Sequence, residues 1–468
     1  MKLFLLFSLL FRVPDLFKLY YESKYDELLK AFYQDQKLEA DPRYRALVAS
    51  VYVKLGDIDS AERYYGSIPL ERKDLRNFDG LSFKIGELYL SKGEEWKSAR
   101  AFYESYISNY RRGESVGNIA KITGISTEML TDSVLKGLFS RKRIFLIVPT
   151  TGDFAEAGEE FARGFRMGYS GSYEIIDEEK SGFPSLIPKE AIVVGPLKGS
   201  SSKFIDESYN LPWIWISPYS SYVPTRARFF FSPYKSLLDE SRFIVSYIVD
   251  SLREQNIILV RDTSWLDGLF SEYLKISFAE RGRRLKGELV LDNPLKVSID
   301  TLPIDTERVK IVVISGLTDN SYLAYSQLKT RYPGLLFIGT SGWIVRILDL
   351  PGYMLSIIAV GAETGMPELI RFRDEYKNFD TEFTKKYGYT PSELARLAYE
   401  AGKILSLAEG ETLGEVLVNL KKIRYLLSSA GILWNISGNL RVTRIKEGNI
   451  ILEEGKYGEE ESEKSREN

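Results

Sequence analysis

Seven short runs of apolar and β-branched residues, at 144–148, 173–176, 191–194, 213–216, 257–260, 309–314 and 335–338, constrain this chain more than any other feature. They do not alternate polar with apolar side chains in the way a half-exposed strand does. Continuous runs of this kind mark strands covered on both faces, as in a parallel sheet with helices packed on either side. The stretches between them have helical spacing. Phe154, Ala157, Phe161 and Phe165 share one face of a helix running to about residue 167, and further helices fit 238–253, 266–281 and 321–331. The pattern begins at Ile144 and restarts at Ile257, so two α/β blocks are expected. Strand ends and helix amino termini converge between two such blocks, and the gap is a natural place for a ligand.

A chain of 468 residues, 44% of them apolar, is long enough for two or three domains. Its 63 basic and 65 acidic residues give a formal charge of -2, which supplies no general field for a nucleic-acid backbone. The basic triplet Arg141-Lys142-Arg143 reads as solvated charge at a strand start. There is no cysteine and no histidine. Thiolate zinc sites, haem ligation by either residue, Ser-His-Asp triads and Cys-His pairs are thereby excluded. The S-x-x-K spacings Ser200/Lys203 and Ser232/Lys235 stand without a second supporting motif, and the stretch from Gly152 to Gly158 lacks the lysine of a phosphate loop. No catalytic residue, cofactor or metal is assigned, and the chain is read as not an enzyme.

The chain opens with Lys2 and nine residues, Leu3 to Phe11, that are apolar except for Ser8, before Arg12 and Pro14. Residues 1–14 have the length of an export signal's apolar region, too short for a membrane-crossing helix; a first helix of the following domain is the alternative. Residues 15–140 form a helical region in which Ala49, Tyr52, Gly56, Ala61 and Tyr65 resemble a tetratricopeptide repeat. A second copy follows in Gly86, Tyr89, Gly93, Ala99 and Phe102, with an imperfect leading copy between Leu16 and Phe32. Stacked hairpins of this kind make either a docking surface or a spacer. At the other end, residues 453–468 hold seven Glu and three basic residues, and a flexible charged tail is expected there.

Within 141–452 the motifs are more specific. The run from Ile144 to Gly152 with Gly158, Phe161 and Gly164, then Val193-Val194-Gly195-Pro196-Leu197, then Leu211-Pro212-Trp213-Ile214-Trp215-Ile216-Ser217-Pro218 resemble the type I periplasmic binding protein family of branched-chain amino-acid receptors. So do Phe337-Ile338-Gly339-Thr340-Ser341-Gly342-Trp343, Tyr387-Gly388-Tyr389-Thr390-Pro391-Ser392 with Tyr399, and Ser437-Gly438-Asn439-Leu440, all in the family's order. The resemblance implies an α/β, two-lobed periplasmic-binding-protein-like type I fold, preceded by an all-α tetratricopeptide-like helical domain. Two departures stand out: 176–191 leaves little room for a long helix, and 291–307 is irregular for a full strand-helix unit.

Read from the residues alone, Thr151, Ser200, Ser201, Ser217 and Ser220 fall at loop tips, where hydroxyls and backbone N–H groups either hold a carboxylate or make local turn bonds. The resemblance implies that first-lobe hydroxyls hold a ligand's carboxylate while the second lobe holds its ammonium. Asp262 and Trp265, together with Asp267 in the same loop, occupy the second-lobe position, and Glu363 near a return strand at 355–360 is a further anion. The helical region placed before this fold resembles the family of penicillin-binding-protein activators. Two functions therefore stand side by side. One is a sensor or adaptor of the periplasm or the extracytoplasmic membrane face, contacting an envelope protein through its helical repeats, with a small amino-acid-like ligand between the lobes. The other is the solute-binding component of an ABC importer for an amino acid or small amide, meeting membrane importer subunits. Neither calls for nucleic acid.

Overall fold

The computed structural model describes residues 15–452, apart from 189, 209–211, 220–221, 228, 255, 303–307, 316–318, 347–355, 363–365, 424, 428–432, 436–439 and 447–448. The expected export segment 1–14 and the acidic tail 453–468 lie outside the described residues. The chain divides into two units, Met1–Arg141 with Thr412–Val418, and Lys142–Glu411 with Asn419–Asn468.

The first unit is a series of short helices packed as neighbours: Leu16–Tyr21 with Tyr25–Gln34, Pro42–Leu55 with Ile58–Gly66, and Leu81–Ser91 with Glu95–Ile107, followed by Arg112–Thr123. Local chemistry sets their starts. Asp15, Asp35, Asp41 and Asp57 each accept a backbone N–H from the first turn they precede, and Pro42 opens its helix where a missing N–H costs nothing. Gly56, at φ +75°, closes that helix in the left-handed region. Thr131 caps Asp132–Leu138, which follows a single 3-10 turn at Thr127–Met129. Ala46, Ala49 and Ala61 allow close approach, and Phe32, Tyr64, Tyr65 and Leu81 fill the space between helices.

One polar node sits inside this packing. Arg76, 6% exposed, donates to both oxygens of Glu104 at 2.6 and 3.1 Å and to the carbonyls of Tyr65 and Ile68 at 3.1 and 2.9 Å. Its guanidinium lies 4.0 Å from the Tyr65 ring centroid, and the Tyr65 hydroxyl also bonds Glu104. The unit is completed from a distant part of the chain. Thr412 pairs with Arg141 as a β-bridge, Leu413 donates to the Ser140 carbonyl at 3.3 Å, and Gly414 lies against Trp96 so closely that a Cβ there would come within 2.3 Å of the indole.

The second unit contains fourteen described strands: β1 (Ile144–Val148), β2 (Glu174–Asp177), β3 (Ile192–Val194), β4 (Ile214–Ile216), β5 (Phe229–Phe231), β6 (Ile257–Asp262), β7 (Gly287–Leu291), β8 (Ile311–Ile314), β9 (Leu336–Gly339), β10 (Ser356–Ala362), β11 (Tyr425–Leu427), β12 (Leu433–Asn435), β13 (Leu440–Lys446) and β14 (Asn449–Leu452). They form a five-stranded sheet in the order β2-β1-β3-β4-β5, a seven-stranded sheet in the order β14-β13-β10-β9-β8-β6-β7, and the two-stranded hairpin β11-β12. The first sheet is parallel throughout. The second is parallel from β10 to β7, with β13 and β14 added antiparallel at one edge. This is the two-lobed α/β architecture with an all-α region ahead of it.

Both faces of the second sheet are covered. Ile258, Val260, Val312 and Ile314 pack on one side with Trp343 and Tyr325, while Ile257, Leu259, Ile311 and Val313 pack on the other with Phe270 and Phe278. The chain moves between the sheets more than once. After β5 it enters helix Pro233–Ser246, which packs on Trp265–Glu280 beside the second sheet, and after β10 it returns through Glu393–Leu407, which packs on Ala155–Gly168 beside the first. That second pairing is a glycine seam: a Cβ on Gly164 or Gly168 would lie 2.1 and 2.2 Å from the carbonyls of Ala395 and Tyr399. Only a 3-10 turn, Phe183–Leu186, occupies the short stretch before β3, and two more, Pro294–Lys296 and Ile299–Thr301, follow β7.

Arg76→Ala takes the guanidinium away from the half-buried Glu104, which keeps the Tyr65 hydroxyl close by, and from two carbonyls, and is expected to lower the stability of the helical unit by about 3 kcal/mol. The guanidinium-induced unfolding transition of the full chain, followed by far-ultraviolet circular dichroism, measures it.

Candidate functional site

In an open parallel sheet, polar groups gather where the strand order reverses, outside the carboxyl ends of the strands. The first sheet reverses between β1 and β3, and the second between β6 and β8. These two points bring together several of the sequence candidates, each with a different standing.

At the first reversal stand three consecutive acids, Asp177, which ends β2, and Glu178 and Glu179, which follow it. Asp177 accepts the Thr150 N–H at 2.9 Å and the Thr151 hydroxyl at 2.7 Å, and also the N–H of Glu179 at 3.2 Å. Burial works against its charge, but these donors outweigh it and hold the carboxyl at about 2. Thr151 is thus the hydrogen-bond partner of Asp177. Glu178, 6% exposed, reaches across the end of β1 to the loop after β3, accepting the N–H groups of Leu197 and Lys198 at 3.3 and 3.4 Å. Burial pushes its carboxyl upward, and the Ser201 hydroxyl and those two N–H groups offset part of the rise. Glu179 completes the set by pairing with the Lys198 ammonium. Ser201, 8% exposed, lies in the first turn of Gly199–Glu207, while Ser200 beside it is exposed.

Gly195 shapes the loop that carries these N–H groups. Its φ is +98°, its N–H donates to Ile216 at 2.9 Å, and its carbonyl accepts from the Trp215 indole at 2.6 Å. A Cβ there would stand 2.2 Å from the Ile147 carbonyl, so β1 and the β3 loop approach as only glycine allows. Next to β3, Ser217 follows β4. Its N–H donates to Phe231 at 2.9 Å, while its hydroxyl is fully buried without a partner.

At the second reversal Asp262 ends β6. One oxygen accepts from the Thr263 N–H at 2.6 Å, and the other accepts the Asn320 amide at 2.9 Å from the helix after β8. Asp262 thereby ties both sides of the reversal together. Trp265 begins helix Trp265–Glu280, capped by Ser264, whose hydroxyl accepts the Asp267 N–H at 3.1 Å. Asp267 is 0% exposed, and no hydrogen bond of ordinary geometry reaches its carboxyl oxygens, Ser264 and the Asp262 backbone being the polar groups near them. Burial, with the Asp262 charge adding to it, pushes the carboxyl up to about 6, although Ser264 and the Asp262 backbone pull the other way. The nearby Arg261 is committed to Glu288. Thr340, after β9, carries another buried hydroxyl without a partner. Ser220 and Glu363 lie outside the described residues.

The S-x-x-K lysines are engaged elsewhere: Lys203 lies 3.8 Å from Glu207 and Lys235 lies 3.7 Å from Asp239, each on its own helix. No group of three or more acidic side chains with metal-holding geometry occurs among the described residues. Four functional-looking groups went unnoticed in the sequence: Asp177, Glu178, Thr340 and Glu240. Glu240 is 1% exposed and accepts the N–H and hydroxyl of Ser341 at 3.1 and 2.5 Å. Its signal was an acid in the apolar stripe with Ile244 and Ile248, and that of Glu178 was an acidic run at the carboxyl end of a buried strand.

No protein-family model and no curated protein matches the chain. Solved structures are similar to it at low identity. LpoA from Haemophilus influenzae is 10% identical with a TM-score of 0.41, over 93% of each chain. A branched-chain amino acid ABC transporter protein from Rhodospirillum rubrum is 13% identical with a TM-score of 0.41, over 67% of this chain and 100% of that one. The substrate-binding protein LivJ from Streptococcus pneumoniae, solved with isoleucine, is 15% identical with a TM-score of 0.34, over 67% of this chain and 99% of that one. Among the described residues, no helix is long and apolar enough to cross a membrane.

Burial raises Glu240 to about 8, so the folded chain retains a proton that the unfolded chain releases near its ordinary value of 4.5. Stability from this group is therefore full below about pH 4.5 and falls as pH rises toward 8. Glu240→Gln keeps an acceptor for the Ser341 N–H and removes the titration. Its melting temperature should exceed that of the unaltered chain at pH 8, with the gap closing toward pH 4.5.

Proposed function

We propose that this chain is a non-catalytic binding protein of the cell envelope, acting as a sensor or adaptor through protein contacts. A small ligand, held at the carboxyl ends of the two sheets, controls the relation between the lobes. The observation that carries the ligand half is the pair of strand-order reversals bearing buried polar side chains without partners, Ser217 beside one and Asp267 at the other. A buried carboxyl or hydroxyl left unpaired costs free energy, and a ligand that pairs it recovers that cost on binding. The adaptor half is supported by the helical unit, which exposes Tyr21, Tyr33, Leu55 and Leu70 at 49–73%. Aromatic and leucine side chains left exposed on a helical surface are of the type a protein partner can bury.

The helical region would meet an envelope enzyme such as a penicillin-binding protein, on the periplasmic or extracytoplasmic side of the membrane. The same ligand geometry also supports the second reading, a solute-binding component that delivers an amino acid or small amide to an importer. The helical unit favours the first, because a solute receptor has no need of it. Domain limits near 140 and 452 and the ligand roles of Thr151, Ser200, Ser201, Ser217, Ser220, Asp262, Trp265 and Glu363 belong to this proposal.

Calorimetry of the full chain, unfolded and refolded to remove any bound molecule, should give saturable heat with one class among amino acids, short amides and amines. Surface plasmon resonance with purified penicillin-binding proteins of the same cell should give a partner whose affinity changes when that ligand is added. Ligand binding without any protein partner favours the importer reading; the absence of both sinks the proposal.

A further inference from the structure

The loops at the first reversal contain the parts of an anion site. Two successive backbone N–H groups, of Leu197 and Lys198, and the hydroxyl of Ser201 converge ahead of helix Gly199–Glu207, where such donors ordinarily hold a carboxylate or phosphate. Here they already hold one. The carboxylate of Glu178 sits on them, 6% exposed, supplied by the strand next to β1. The neighbouring donors are engaged in the same way, the Thr150 N–H and Thr151 hydroxyl by Asp177 and the Lys198 ammonium by Glu179.

What remains at the two reversals is rich in acceptors. Asp267 offers two buried oxygens without partners, and Ser217 a buried hydroxyl. Asp262 stands beside Asp267, and the adjacent guanidinium of Arg261 is taken by Glu288. A zwitterionic amino acid brings a carboxylate that would have to displace Glu178 from its paired N–H donors or settle for single hydroxyls such as that of Ser217, close to acids. A primary amine brings three N–H donors and a positive charge, and matches the oxygens that lack partners.

We infer that Glu178 is the chain's own occupant of the first-lobe carboxylate seat, and that the ligand of this module is a primary amine without a carboxylate. This inference rests on the proposed ligand-binding function. It makes Glu178 a specificity residue: its carboxylate excludes the ligand's.

The test uses matched pairs that differ only in the carboxylate: 3-methylbutylamine against leucine, and putrescine against ornithine. Each is titrated calorimetrically into the full ligand-stripped chain, and melting temperatures confirm that every variant is folded. One amine should bind at least about ten-fold more tightly than its amino acid. Glu178→Ala, which vacates the seat, should raise affinity for the amino acid relative to its amine by a similar factor, whatever it does to the two affinities together. Should the alanine variant fail to fold, Glu178→Gln removes the charge in the same volume and should move the amino acid in the same direction. If the unaltered chain binds an amino acid as tightly as its amine, or if neither folded variant shifts the preference, the inference is overturned while the ligand-binding function stands. If no member of either pair saturates, and none of the amides and amino acids does, that function falls and the inference with it.

Discussion

The two sheets of the second unit are covered on both faces, and much of the molecule follows from that constraint. A strand buried on both sides has nowhere to put a polar side chain along its length, so polar groups are driven to its ends. At β1, β3 and β4 every strand residue is buried, and the polar chemistry begins one or two residues beyond, at Thr150, Gly195 and Ser217. Order reversal then selects which of those ends are neighbours. The carboxylates of Asp177 and Glu178 tie the loops after β1 and β3 to the end of β2.

The same constraint explains what could be read without coordinates. The doubly buried strands were legible almost residue by residue: 144–148 matches β1, and 257–260 and 335–338 fall within one or two residues of β6 and β9. β5 and β7 were not. Phe229–Phe231 is an apolar run of only three residues, too short to read as a strand by itself, and Gly287–Leu291 is an edge strand whose residues are mostly half-buried and include Glu288. Helix Pro233–Ser246 begins five residues before the expected 238, because Ser236, Leu237 and Glu240 face the core together and the two polar members hid the stripe.

The candidate site was legible in position and illegible in pairing. Loops after β1, β3, β4 and β6 were identified from strand ends alone, and Thr151, Ser201, Ser217 and Asp262 lie in or beside them. Which hydroxyl bonds which acid depends on contacts between distant positions, as between Ser201 and Glu178 or between Thr151 and Asp177, and periodicity carries no record of such contacts. A three-acid run after a strand reads as solvated charge until the neighbouring loop shows its N–H groups turned toward it.

The bridge between Arg141 and Thr412 bears on how this chain is born. Amino-terminal domains commonly fold first as they leave the ribosome. Here the helices of the first unit present Trp96 to a segment translated only after strands β1 to β10, so that unit is finished long after its helices emerge. Until Gly414 arrives, Trp96 lacks the segment that packs on it, and a message cut short of that codon would release the helices without that cover.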